Sequence, residues 1–73
     1  MARQTYHVGF RMIGEEPKSI DVIASSKAEA YDVAVYEAIP KLRGELPYSA
    51  WVESVTYNNG NYKRFNTFEG KPY

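Results

Sequence analysis

From Thr5 to Ile13 the chain alternates, with Tyr6, Val8, Phe10 and Met12 on one side and Thr5, His7, Gly9 and Arg11 on the other. A period of two predicts a half-buried strand. The segment "GEEPK" reads as a turn, and Ile20, Val22 and Ala24 then recur at the same period over Ser19 to Ala24. The two runs predict an antiparallel hairpin.

At Ser26 the period changes. Ser26 with Glu29 three residues later has the form of a capping box, in which the hydroxyl accepts from the Glu29 amide and the carboxylate accepts from the Ser26 amide. Behind it, Tyr31, Ala34, Val35, Ala38, Ile39 and Leu42 fall on one helical stripe, leaving Glu29, Asp32 and Glu37 largely outside it. Pro40 lacks an amide hydrogen and disfavours helical geometry at the residue before it, so the helix is expected to end or kink near Ile39, with Gly44 as the final stop.

From Ala50 to Phe68 two extended runs flank "NNGN", whose Asn and Gly accept the positive φ angles of a tight hairpin. Trp51, Val55 and Tyr57 are assigned to the core face of the first run. Glu53 interrupts that pattern, so the alternation does not settle which face the helix covers. The expected fold is α+β: β-β-α-β-β, a four-stranded antiparallel sheet with one helix packed on one face, in a single domain over residues 1–73. Residues 1–4 and 69–73 are expected to be loose tails.

Composition narrows the chemistry. At 73 residues the chain has room for one small core, and the absence of cysteine removes disulfide staples and thiolate zinc sites. His7 is the single histidine, so no His-based metal site can form within one chain, and neither metal nor cofactor is expected. Eleven aromatic residues, seven of them tyrosine, supply bulk for a core and are more than one short helix can cover. The N-terminal stretch "MARQTYHVGF" has no long apolar run after its arginine. Neither a signal peptide nor a membrane span is expected, and the cytoplasm is the expected compartment.

Formal net charge is zero, but both ends are basic and residues 15–53 are acidic. His7 lies on the uncovered face beside Arg11, with Asp21 of the next strand as an orienting carboxylate, yet no signature context marks a nucleophile. Glu15 and Glu16 sit in a turn, and the glycines are scattered singly rather than forming a phosphate loop. An enzyme is therefore not expected.

Binding chemistry has more support. Tyr62, Lys63, Arg64, Phe65 and Phe68 place aromatic and cationic side chains on one hairpin strand, with Arg11 and Tyr57 as further contacts. Tyrosine and arginine dominate protein interfaces, so these residues predict a surface for a protein partner or a second copy of the chain. The alternative is single-stranded nucleic acid on the open sheet face, by base stacking and phosphate neutralisation. Alternation divides the set, with Tyr62 and Arg64 on one side and Lys63 and Phe65 on the other.

The segment "IDVIASSKAEAYDVAVYEA", Ile20 to Ala38, in which a strand runs through Ala-Ser-Ser into a capped helix, resembles small accessory proteins encoded by phages, prophages and mobile elements. The resemblance implies a compact, cytoplasmic, non-catalytic protein of a phage or bacterium that binds a host enzyme or nucleic-acid machinery.

Overall fold

The computed structural model describes residues 2–65 and has the predicted order β-β-α-β-β. Strands β1 (Gln4–Arg11), β2 (Lys18–Ala24), β3 (Ser49–Thr56) and β4 (Tyr62–Arg64) form one antiparallel sheet in the order β2-β1-β3-β4. Helical residues between β2 and β3 comprise α1 (Lys27–Val33), a π-helical turn (Ala34–Ala38) and α2 (Ile39–Arg43).

Alternation in β1 has its predicted result. Tyr6, Val8 and Phe10, followed by Met12, are buried with Val22 and Ala24 of β2 and with Ala30, Ala34, Val35 and Ile39 of the helical segment. Six of the larger core side chains, Phe10, Met12, Ile39, Val8, Val52 and Val55, are almost wholly removed from water. Each such burial contributes about 1.5–3 kcal/mol.

β3 is where the expected pattern changes. Along β1 and β3, His7 opposes Ser54 but Val8 opposes Val52, so Glu53 has no opposite residue and forms a β-bulge. The extra residue reverses the phase. Before the bulge Ala50 and Val52 enter the core, and after it Val55 does, whereas Trp51 lies on the opposite face across Gly9. The assignment of Trp51 to the core face is thereby corrected, as is that of Tyr57, which stands at the partly exposed end of the strand. Val55 is in the core as expected.

The helix begins where predicted but closes its cap differently. Ser26 Oγ accepts from the Glu29 amide at 3.1 Å, whereas the Glu29 carboxylate accepts from the Ser25 amide at 2.7 Å and the Ser25 hydroxyl at 2.6 Å. These bonds, the hydroxyl's first, hold the Glu29 carboxyl below its ordinary value. Stabilising the charged form lowers a carboxyl pKa.

Pro40 neither ends nor breaks the helix. Its ring crowds the carbonyl four residues back and it has no N–H to offer, and the turn before it widens so that the Ile39 amide bonds to the Ala34 carbonyl. A wider turn rotates everything after it. Ile39 remains buried, but Leu42, expected on the apolar stripe, is exposed. Gly44 then stops the helix at φ 82°, returning its amide to the Pro40 carbonyl at 2.7 Å.

Arg3 and Gln4, expected in a loose tail, are held by hydrogen bonds, and Met1 lies outside the described residues. Gln4 opens β1, its side-chain oxygen accepts from the Asn58 amide at 2.6 Å, and the Arg3 carbonyl accepts from Asn58 Nδ2 at 2.9 Å. Residues 69–73 lie outside the described residues.

Candidate functional site

The predicted surface residues do not form one patch. Register places Tyr62 beside Thr56 and Arg64 beside Ser54, at the end of the sheet where β1 starts. Arg11 pairs with Ser49 at the other end, four residues along β1 from His7, or roughly 13 Å at the rise of a strand. Tyr57 sits at the hairpin turn, its amide bonded to the Asn61 carbonyl at 2.8 Å. Phe68 lies outside the described residues.

Alternation splits β4 as anticipated. Tyr62 and Arg64 share the side of Thr56 and Ser54, away from the helix. Phe65 packs against the core and stacks on Tyr6, with ring centroids 6.5 Å apart and planes 11° from parallel. Lys27 Nζ lies 4.3 Å from its ring centre and Lys63 Nζ 5.9 Å, so two cations cap this aromatic pair from the helix side. Phe65 is thus part of the folded core's rim, and Lys63 is committed to it.

The uncovered face is polar and mixed in charge. Asp21, His7, Ser54 and Arg64 follow one another across it by register, and Glu53 lies one step along. Trp51, its largest aromatic, is only 5% exposed. The indole covers Gly9 and donates to Glu53 Oε2 at 3.2 Å, while Ser19 Oγ donates to Glu53 Oε1 at 3.4 Å. No base could stack on that ring without displacing it.

Within this face three side chains line up. Asp21 Oδ1 is 2.7 Å from His7 Nδ1, and His7 Nε2 is 2.9 Å from Thr56 Oγ1. The sequence suggested the first pair. Thr56 was not foreseen, because its place beside His7 depends on the bulge at Glu53.

Four further exposed apolar side chains belong to the turn after β1 and to the end of α2 with the loop that follows it. Ile13 is 81% exposed, Tyr48 70%, Leu42 67% and Leu46 58%. Tyr48 is drawn to the end of β1 by its amide, which donates to the Arg11 carbonyl at 2.7 Å. Leu42 precedes Arg43, whose Nη2 lies 2.5 Å from Glu15 in the turn that carries Ile13; Lys18 Nζ is 3.8 Å from the same carboxylate. A groove of about 460 Å³ runs between the two loops, lined by Arg11, Met12, Ile13, Gly14, Glu15 and Tyr48. Beside it, Ser49 Oγ is buried with no hydrogen-bond partner among the described residues.

Among the described residues no helix is long and apolar enough to cross a membrane, and no three His, Asp or Glu side chains gather as a metal site. No family model matches this chain, and comparison with curated proteins and with solved structures likewise gave no match.

Proposed function

We propose that this protein is a small binding module that contacts a protein partner, and that the contact is made at the loop end of the sheet rather than on the hairpin. The observation that carries this reading is that Ile13 and Tyr48, each more than half exposed, line the groove, with exposed Leu42 next to the Arg43 that bonds Glu15 at its edge. A small domain keeps such side chains in water at a cost that a partner removes. An aromatic and aliphatic centre beside the Arg43–Glu15 pair has the make-up of an interface core with a polar rim. The small accessory proteins resembled by Ile20 to Ala38 act by binding, in keeping with this reading.

Single-stranded nucleic acid finds less support. Asp21 and Glu53 share the open face with Arg64, and Trp51 is covered. Repulsion from two carboxylates opposes the phosphate attraction that supplies most non-specific affinity.

A photo-crosslinking residue at position 48, in the protein's cell of origin, tests the reading. Protein adducts at position 48, lost with Ile13→Asp and absent from a control position at Asn59, are the expected result. Adducts equal at both positions, or adducts to nucleic acid, would overturn it.

A further inference from the structure

Beyond binding, the line of Asp21, His7 and Thr56 across three neighbouring strands carries a chemical reading of its own. A carboxylate can only accept, so at 2.7 Å the proton between Asp21 and His7 belongs to Nδ1. In the neutral ring Nε2 is then an acceptor, and the hydroxyl 2.9 Å from it donates. Carboxylate to Nδ1 and Nε2 to hydroxyl is the connectivity that makes a hydroxyl nucleophilic, and it is recognised by geometry rather than by sequence position.

We propose that Asp21–His7–Thr56 is a hydroxyl-activating relay that takes an acyl group from small activated carboxylic esters onto Thr56. The relay is supported from several strands. β1 carries His7 between Asp21 on β2 and Thr56 on β3, and the face is one the helix does not cover. His7 is a quarter exposed, and Thr56 is partly exposed, so a small ester reaches the hydroxyl from solvent. Ile23 and Tyr62, both well exposed, stand at the two ends of the Thr5–Thr56 row and offer apolar surface to a short acyl chain.

In the transfer, Thr56 Oγ1 forms a bond to the ester carbonyl carbon while its proton passes to His7 Nε2. Asp21 holds the resulting imidazolium. The bond from the carbonyl carbon to the leaving oxygen then breaks, the alcohol or phenol departs with the bonding pair, and the His7 proton goes to it or to solvent. O-acyl-Thr56 remains, and attack by water with the same base returns the free hydroxyl and a carboxylic acid. Asp21 acts through His7 and is a positioning residue.

The probe is p-nitrophenyl acetate, with phenolate release followed by absorbance and the acetyl group located by peptide mass mapping. The expected product is acetyl-Thr56. T56V removes it, T56S retains it, and H7Q slows its formation by about 100-fold or more, the general-base contribution. D21N slows the step at an unchanged amide spectrum, and D21E, which keeps a carboxylate, recovers part of the rate. Acetyl groups confined to lysines, the amino terminus or His7, or equal rates at Thr56 in H7Q and wild type, would overturn the proposal. Should H7Q fail to fold, T56S against T56V in the wild-type background decides it: equal phenolate release from both sinks the relay.

Discussion

Gly9 lies directly under the Trp51 indole: a β-carbon built on Gly9 would stand 2.3 Å from Nε1 and 2.4 Å from Cε2. The two residues are cross-strand partners, and the missing side chain of one is the seat of the other. Glu53 locks the arrangement by accepting from Nε1 at 3.2 Å. This is how an aromatic becomes buried on a face without a covering layer.

Gly9→Ala therefore meets a ring rather than open space, and the indole must leave its seat. The expected cost is about 1–3 kcal/mol, as for other overpacked sites. In a domain of this size each kcal/mol lowers Tm by about 4–8 °C. Thermal unfolding with tryptophan emission checks it: a lower Tm with a red-shifted folded spectrum is expected, and an unshifted spectrum would show that Trp51 stays put.

Phe65 and Tyr62 should behave oppositely, although they stand three residues apart on one hairpin. Phe65→Ala removes the ring between Tyr6 and the two lysines and should cost about 1–3 kcal/mol. Tyr62→Ala removes an exposed ring and should stay within about 0.5 kcal/mol of wild type. Urea midpoints of the two variants check the assignment of Phe65 to the core's rim.

Pro40→Ala restores an amide and removes the ring that forces the turn before it to widen. The helix is expected to gain a hydrogen bond and up to about 3 kcal/mol of propensity at that position. Tm should rise, the new amide at position 40 should be protected from hydrogen exchange, and the Leu42 methyl shifts should move as its side chain rotates. A fall in Tm would show that the wide turn is required by the packing of Ile39.

Glu29 links the helix start to acid. Its folded carboxyl lies below 4.5 because Ser25 stabilises the charged form, first through its hydroxyl and then through its amide, with Arg3 adding a smaller Coulombic contribution. A depressed folded value means that the native state binds fewer protons than the unfolded chain. The stabilisation is complete above the unfolded value and is lost as pH falls through the folded one. Ser25→Ala should bring the Glu29 titration, followed by carboxyl NMR shifts, back up toward 4.5, and the wild-type advantage in Tm should narrow as pH drops below that point.

Much of the chain can be read locally, because its rules act between residues a few positions apart. The alternation of Tyr6, Val8, Phe10 and Met12 reports which face of β1 is dry, since side chains in a strand point to opposite sides in turn. Ser26 as the cap, Gly44 as the stop and "NNGN" as the hairpin turn are likewise matters of backbone angle and of the nearest free amide. The order β-β-α-β-β follows from them.

What the sequence could not decide depends on partners distant along the chain. Glu53 was visible as a break in the pattern. Only pairing against β1 shows it to be a bulge, which carries Val52 and Val55 into the core and leaves Trp51 over Gly9. Pro40 announced a disturbance, but the packing of Ile39 under the sheet keeps the helix going and turns the break into a wide turn. The same long-range pairing separates Arg11 from the hairpin cations and brings Thr56 to His7. Local sterics select each element, whereas register is chosen by the total energy of two strands against each other, and no short window of sequence contains that sum.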